Sequence, residues 1–279
     1  MQFIDTHAHV YSEELLPDLN QVMANAIGSG VNKIFMPAID SHTLEAMLSV
    51  ERAFPENCFA MMGLHPCYVK ENVQAELDIV ADQLSKRKFP AIGEIGLDFY
   101  WDKTFVSQQQ LAFNTQMQWA LDYSLPIVIH TRNAMGETIE AVKPFAKKGL
   151  RGIFHCFSGS KESAEQIIGM GFHLGLGGVL TYKNAGVAEA IKDIPMEWLV
   201  LETDAPYLSP VPYRGKKNEP AFIIEVAKKL AEIKNIPLHE VAEMTSKNAV
   251  KVFGEWWGNF FIPGWPTSLC LSASGKILF

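Results

Sequence analysis

Residues 126–155 read PIVIHTRNAMGETIEAVKPFAKKGLRGIFH, and they show most clearly the pattern that recurs along the chain. Two short apolar runs, 126–130 and 152–155, each end at a histidine, and a longer segment separates them. Strands that are nearly all apolar are expected where both faces of a sheet are covered, as in a parallel sheet. The stretch therefore predicts a strand, a helix and a second strand that runs parallel to the first.

The same alternation extends in both directions over most of the chain. Helical spacing of three and four joins Leu15, Leu19 and Val22, for example. A (β/α)8 barrel and a doubly wound open sheet both satisfy the pattern, but no GxGxxG follows the first strand, which removes the main support for a dinucleotide fold. We therefore predict an α/β protein with a single-domain (β/α)8 TIM barrel over residues 1–253. The predicted strands are residues 3–7, 33–38, 59–64, 91–95, 126–130, 152–155, 173–177 and 198–202.

Length and composition exclude several classes of protein. The 279 residues are 48% hydrophobic and 20% charged, which argues against disordered and fibrous architectures. A net charge of −7 argues against attraction of nucleic acid by the whole surface, so a substrate that carries phosphate must be captured locally. The four cysteines include no CxxC pair, which indicates neither a disulfide framework nor a structural zinc site and suits a reducing cytosol.

Neither end of the sequence predicts a membrane segment. The N-terminus has no basic region followed by a long apolar run, as a signal peptide would. Residues 256–275 carry no charge over a length that could span a bilayer, but Pro263, Pro266 and several glycines make this a poor membrane helix. We expect a cytoplasmic protein without a membrane partner and with a C-terminal extension of unknown role, residues 254–279.

Chemically active side chains cluster at the ends of the predicted strands. Glu94 and Asp204 lie at or just after a strand end. The carboxyl ends of all strands in a (β/α)8 barrel meet on one face, where active sites are built. We therefore expect one cavity to receive these two carboxylates together with five histidines that lie at such positions: His7, His9, His65, His130 and His155.

The residue types at these positions indicate metal binding. His7 and His9 are two residues apart at a strand end, so both side chains face the same side. Glu94 lies within an apolar strand, where an unpaired carboxylate is costly and needs a cation or hydrogen-bond donors. Taken singly, the histidine pair is also explained by an exposed strand end and Glu94 by a structural salt bridge.

Together the residues are enough for two divalent cations bridged by Glu94. Imidazole and carboxylate ligands admit zinc, manganese, iron or nickel, whereas magnesium prefers oxygen donors. Two such ions would lower the pKa of a shared water for attack on a phosphoryl or carbonyl group. Glu202 is predicted to support a ligand, and His65 to contact substrate or a ligand. One ion would be bound by His7, His9 and Asp204, and the other ion by His130 and His155.

Seven motifs are distributed along the chain as far as residue 220. They are Phe3-Ile4-Asp5-Thr6-His7-Ala8-His9, Gly63-Leu64-His65-Pro66, Ile92-Gly93-Glu94-Ile95-Gly96-Leu97-Asp98-Phe99-Tyr100, His130-Thr131-Arg132, His155-Cys156-Phe157-Ser158-Gly159, Leu201-Glu202-Thr203-Asp204-Ala205-Pro206-Tyr207-Leu208 and Arg214-Gly215-Lys216-Lys217-Asn218-Glu219-Pro220. Jointly these motifs resemble the TatD family of metal-dependent hydrolases, within the amidohydrolase-like barrels. One departure is Val10-Tyr11, where the family more often has Leu-Asp, and it bears on local packing.

The resemblance implies a TIM barrel, a pair of divalent cations (magnesium, manganese, zinc or similar) and deoxyribonuclease activity, often of the 3′–5′ exonuclease type, on single-stranded or frayed DNA. In that scheme Asp204 holds the attacking water and accepts its proton, and Glu94 acts as the bridging group. Arg132 and Arg214 are candidate phosphate clamps, and Tyr100 is a candidate for stacking on a base. The family's ligand positions fall on His7, His9, Glu94, His130, His155 and Asp204.

Two other functions stay open at the level of the sequence. The same activated water can cleave an ester or amide, as in the deacylation of a D-aminoacyl-tRNA. The second is a barrel that binds metal without catalysing a reaction. Against it, this sequence has a matching residue at each of the family's six ligand positions. No feature of the sequence indicates a protein partner.

Overall fold

Eight parallel strands alternate with helices in the computed structural model, which describes residues 1–254. The predicted C-terminal extension beyond Gly254 lies outside the described residues. All eight predicted strands are present, with ends that shift by a few residues. They are β1 (Phe3–Asp5), β2 (Val31–Pro37), β3 (Cys58–Met61), β4 (Ile92–Asp98), β5 (Ile127–Arg132), β6 (Gly152–Phe154), β7 (His173–Leu176) and β8 (Leu199–Leu201).

The strands close into one barrel. Continuous pairing joins β1 to β3 through β2, and β4 to β8 through the strands between them. A bridge between Met62 and Ile92 connects the two groups after β3. Between β8 and β1, the backbone N–H and the side-chain hydroxyl of Thr6 both donate to the carbonyl oxygen of Leu201 at 3.0 Å. The predicted (β/α)8 barrel is therefore confirmed.

Amphipathic helices cover the outside of the barrel. Within residues 1–254 they are α1 (Leu19–Gly28), α2 (Leu44–Ala53), α3 (Val73–Lys86), α4 (Val106–Asp122), α5 (Met135–Ala146), α6 (Lys161–Gly169), α7 (Val187–Ala190), α8 (Ile223–Lys234) and α9 (Leu238–Phe253). The repeat is irregular at its end, because β7 is followed by the single-turn α7 and β8 by both α8 and α9. Among these described helices, none has the length and apolar character needed to cross a membrane.

The interior of the barrel is filled by apolar side chains. Ile4, Val128 and Val200 point inward from three strands and pack in one cluster with Phe253 from the end of α9. The ring of Phe253 stacks on that of Phe35 with a centroid distance of 3.9 Å. The polar residues that follow the strands lie at the carboxyl end of the barrel.

His173, the first residue of β7, is a buried histidine far along the strand from that polar end. Its ring lies 5.2 Å from the ring of Trp198. Burial lowers the pKa of His173 from the usual 6.5 to about 4, and the positive charge of Lys251 acts in the same direction. Because the pKa in the folded state is the lower one, the neutral ring stabilises the fold above pH 6.5, and this contribution is lost as the pH falls towards 4.

We expect His173→Leu to make the fold less sensitive to acid. Between pH 7.5 and 5 the wild type should lose about 2 kcal/mol of unfolding free energy through this residue, a loss that the variant should not show. Urea unfolding at the two pH values measures the difference. The exposed His42, replaced by Leu, is the control and should leave the pH dependence as in the wild type. An equal acid-side loss in the wild type and His173→Leu would contradict this account.

Candidate metal centre

Glu94 lies among imidazole rings at the carboxyl end of the barrel. Its Oε2 is 3.1 Å from Nε2 of His7 and 3.6 Å from Nε2 of His9. Its Oε1 is 3.0 Å from Nδ1 of His130 and 3.5 Å from Nε2 of His155. The two oxygens of one carboxylate therefore face two different pairs of histidines, as a bridging ligand must.

Asp204 completes the first of these two groups. Its Oδ1 lies 3.7 Å from Nε2 of His7 and from Nε2 of His9, and those two nitrogens are 3.2 Å apart. Ligand atoms around a tetrahedral metal with bonds of about 2.1 Å are separated by roughly 3.4 Å. The spacing of the His7, His9 and Glu94 atoms thus fits a shared cation, and Asp204 lies within the same range of both histidines.

The backbone of β4 aims Glu94 into the barrel. The pairing of β4 with β5 shifts register between Ile92 and Ile95, and an irregularity of this kind redirects the side chain that it contains. Gly96 follows with φ of +147°, and a Cβ there would lie 1.9 Å from the carbonyl oxygen of His130. Only glycine lets the two strands approach so closely beside the site.

Two carboxylates support two of the histidines from behind. Asp98 Oδ2 is 2.9 Å from Nε2 of His130, and Glu202 Oε1 is 2.9 Å from Nδ1 of His155. Glu202 Oε1 also accepts the N–H of Cys156, so it is an acceptor towards His155. Each ring therefore donates outward and keeps its second nitrogen directed at Glu94, an arrangement typical of histidines that bind metal.

His9 is supported by a hydroxyl group. The Tyr11 hydroxyl donates to the carbonyl oxygen of Pro37 at 2.5 Å, and it can therefore accept the Nδ1 proton of His9, which is 3.1 Å away. Nε2 of His9 then remains available towards Glu94. Tyr11 is one of the two residues at which the sequence departs from the TatD pattern, and it is well packed, since only 2% of it is exposed.

Asp5 joins β1 to the end of β8 directly beside these ligands. Its Oδ1 accepts the N–H groups of His7 and Thr203 at 3.2 and 3.0 Å, and its Oδ2 accepts the Thr203 hydroxyl at 2.5 Å. The N–H of Asp204 donates to the carbonyl oxygen of His7 at 2.8 Å. These bonds fix the backbone of His7 relative to that of Asp204.

His65 has the geometry of a donor. Its Nδ1 accepts the N–H of Cys67 at 3.1 Å, so the neutral ring carries its proton on Nε2. That Nε2 lies 3.3 Å from Oε1 of Glu94, and the side chain is 13% exposed at the mouth of the barrel. His65 is therefore placed to contact Glu94 and also a bound molecule.

The centre is rich in buried carboxylates: Asp5, Glu94, Asp98, Glu202 and Asp204. No lysine or arginine of residues 1–254 forms an ion pair with any of them. Burial raises the pKa of Glu202 and the pKa of Asp204 to about 7. Burial also acts to raise the pKa of Glu94, but the imidazoles of His65 and His7 outweigh it and hold that pKa well below the usual range. The donor set and the excess of carboxylates both fit divalent cations.

Three residues of the centre carry no assignment in the sequence analysis: Asp5, Tyr11 and Asp98. Asp5 precedes His7 by two residues, and Tyr11 follows His9 by two. Asp5 and His7 both lie in the predicted strand 3–7, where residues two apart share a face, so this spacing was a usable signal for Asp5. Tyr11 lies in a turn, where that rule does not apply.

The other predicted substrate residues lie on the surrounding loops. The guanidinium carbon of Arg132, the last residue of β5, is 3.9 Å from the ring centroid of Tyr100. Arg214 follows β8 and lines an open cleft of about 560 Å³ with Lys183, and its guanidinium carbon is 4.4 Å from the ring centroid of Tyr182. The structure thus brings the six ligand candidates and His65 together, and it places Arg132 at the end of β5 and Arg214 on the loop after β8.

Comparison with known proteins identifies the family of this chain. The family described as TatD related DNase matches residues 4–254. The uncharacterized metal-dependent hydrolase YabD of Bacillus subtilis (strain 168) is 36% identical over 250 residues, which cover 89% of this chain and 98% of YabD. The uncharacterized metal-dependent hydrolase YcfH of Escherichia coli (strain K12) is 30% identical, with coverage of 91% of this chain and 96% of YcfH.

Solved structures give the same result. The structure of YjjV, a TatD homologue from Escherichia coli K12, has a TM-score of 0.85 and 30% identity, and it covers 90% of this chain and 97% of YjjV. A TatD family hydrolase from Entamoeba histolytica shares the fold with a TM-score of 0.79 and 24% identity, over 91% of this chain and 98% of that protein. The family match spans nearly all of the described residues, and this chain therefore belongs to the TatD family of metal-dependent hydrolases.

Proposed function

We propose that this protein is a deoxyribonuclease that uses two divalent cations to hydrolyse phosphodiester bonds at the 3′ end of single-stranded or frayed DNA. The observation that carries the proposal is the orientation of the imidazoles. His9, His130 and His155 each have one nitrogen engaged by an outer hydrogen-bond partner, and the other nitrogen of each ring faces the shared carboxylate of Glu94. The family description as TatD related DNase supports phosphorus as the atom that is attacked.

The residues divide into two groups that would each hold one cation. Glu94 belongs to both, because its Oε2 faces the first group and its Oε1 the second. When bound, the cations would act as Lewis acids that lower the pKa of a water and offset the charge of the phosphate. Imidazole-rich ligation favours zinc, manganese, iron or nickel, although magnesium is compatible with the carboxylates. The first group would be His7, His9 and Asp204, whose ligand atoms lie within 3.7 Å of one another, and the second would be His130 and His155.

The protein's own groups would orient the reactants. Asp204, whose side chain is 12% exposed, would hold the attacking water and accept its proton. His65 would donate from Nε2 to a phosphate oxygen, because its Nδ1 is engaged by Cys67. Arg214, in its cleft with Lys183, would bind a phosphate further along the strand. This local positive charge would capture DNA despite the net charge of −7.

Replacing Glu94 by Gln should abolish hydrolysis without unfolding the protein. We expect kcat/KM on a single-stranded oligonucleotide to fall at least about 1,000-fold, because loss of the bridge removes several kcal/mol of transition-state stabilisation. Glu76→Gln is the matched control, since Glu76 is also buried but bonds Ser41 instead. It should keep near-normal kcat/KM. Hydrolysis by Glu94→Gln at a near-normal rate would show that the shared carboxylate has another role.

Removal of metal should abolish hydrolysis reversibly. Protein purified without chelators should carry close to two divalent ions per chain, as measured by elemental analysis. Dialysis against a chelator should remove them together with the activity, and re-addition of single ions should identify those that restore it. Full activity of the metal-free protein would contradict the proposal.

Parallel assays separate attack on phosphorus from attack on carbon. We expect release of mononucleotides from a 3′-ended single-stranded oligonucleotide, and much slower release of amino acid from a D-aminoacyl ester of RNA. Measuring kcat/KM for both substrates with one protein preparation decides between the two functions. Turnover of the ester without release of nucleotide would replace the deoxyribonuclease proposal by the deacylase alternative.

A further inference from the structure

Three side chains form an exposed cluster at the mouth of the barrel, here termed the aromatic platform: Tyr100, Trp101 and Arg132. Tyr100 is 50% exposed and Trp101 is 68% exposed. Their rings are nearly perpendicular, with centroids 4.9 Å apart. The guanidinium carbon of Arg132 lies 3.9 Å from the first centroid and 5.1 Å from the second. Cation–π contacts thus hold the two rings together, while much of the indole surface remains open.

A single carboxylate connects the aromatic platform to the metal centre. Asp98 Oδ1 accepts the backbone N–H groups of Tyr100 and Trp101 at 2.9 and 3.1 Å, and its Oδ2 is 2.9 Å from Nε2 of His130. The amide group of Gln109 bonds both the N–H and the carbonyl oxygen of Asp98, at 2.9 and 3.1 Å. The platform is therefore held in a fixed position, one carboxylate away from a proposed metal ligand.

The guanidinium of Arg132 has hydrogen-bonding capacity to spare. Its central carbon lies over the Tyr100 ring, and within residues 1–254 the guanidinium forms no hydrogen bond or ion pair. A guanidinium can stack through its face and bind a phosphate through its edge at the same time. Beside an exposed indole, this combination is complementary to the base and the phosphate of one nucleotide.

We propose that the aromatic platform is a nucleobase-binding subsite, in which a base next to the scissile phosphate stacks on Trp101 while Arg132 holds a phosphate of the same strand. This inference rests on the proposed phosphodiesterase function and adds the element that recognises the substrate. A base within a duplex is stacked on both sides, so its face is accessible only after it leaves the helix. The subsite therefore selects unpaired ends.

Size and position favour a nucleotide over a protein partner. Two rings and one guanidinium offer far less area than the roughly 800 Å² that each partner buries in a standard protein interface. The connection through Asp98 to His130 also requires that the occupant lie beside whatever is bound at the metal centre.

Trp101→Ala tests the subsite, because the bond from residue 101 to Asp98 comes from the main chain and survives the substitution. On a short oligothymidylate we expect KM to rise about 5- to 150-fold, as for loss of one stacked base, with a smaller change in kcat. A set of oligonucleotides would carry an abasic nucleotide at each of the last three positions in turn. For one of these substrates, the KM of the wild type should rise by about as much as Trp101→Ala raises it on the normal oligonucleotide. On that substrate Trp101→Ala should change KM by less than about twofold. Trp101→Phe should recover most of the wild-type KM.

Tyr123→Ala is the matched control. Tyr123 is 47% exposed and follows α4 at the amino end of the barrel, away from the metal centre. It should leave KM unchanged on both substrates. An equal rise in KM for Trp101→Ala on the normal and the abasic oligonucleotide would overturn the subsite.

A binding experiment separates failure of the subsite from failure of the deoxyribonuclease function. Fluorescence anisotropy with the metal-loaded protein and phosphorothioate oligonucleotides, which resist cleavage, measures affinity without turnover. Base-dependent binding that Trp101→Ala weakens supports the subsite, even if natural DNA is not hydrolysed and the deoxyribonuclease proposal is wrong. Hydrolysis without any dependence on the base would retain the function and overturn the subsite, and absence of both binding and hydrolysis would overturn both.

Discussion

The polar groups at the mouth of the barrel are arranged around one buried carboxylate, that of Glu94. Glu94 is 2% exposed, and its polar neighbours are imidazole rings rather than lysine or arginine side chains of residues 1–254. A buried carboxylate without balancing charge is strongly unfavourable. Outer groups such as Asp98 and Glu202 orient the rings, so the members of the network depend on one another. A cluster of this composition is consistent with cations at its centre.

The barrel makes this arrangement possible because its closure brings together residues that are far apart in the chain. Asp5 bonds the backbone of both His7 and Thr203, so the first and last strands meet at the ligands themselves. The site also needs room for its supporting carboxylates. A Cβ on Gly175 would lie 2.2 Å from Oε2 of Glu202, so the carboxylate that supports His155 requires a glycine on the neighbouring strand.

In the proposed function, chemistry and recognition would occupy different parts of the same face. The ligand candidates lie at strand ends, where packing and hydrogen bonds restrict them, whereas Tyr100, Trp101 and Arg214 lie on the loops beyond. Asp98 connects the two parts, since it bonds both His130 and the backbone of Trp101. A loop can change in sequence and alter substrate choice without disturbing the metal centre, as long as that carboxylate stays in place.

Apolar runs and helical periodicity are local patterns that report burial, so they predicted eight strands alternating with helices. The choice of a barrel over an open sheet needed more, namely the absence of GxGxxG and the resemblance to the TatD family. The positions of ionisable residues after strand ends were also predictable, and the structure brings His7, Glu94 and Asp204 to one place. Only the folded chain shows which nitrogen of each ring faces inward, that Tyr11 contacts His9, and that Arg132 lies over an aromatic ring. The reason is physical: these features depend on hydrogen bonds and ring contacts between different segments, whose distances and angles are set by barrel closure and by the irregular backbone of β4.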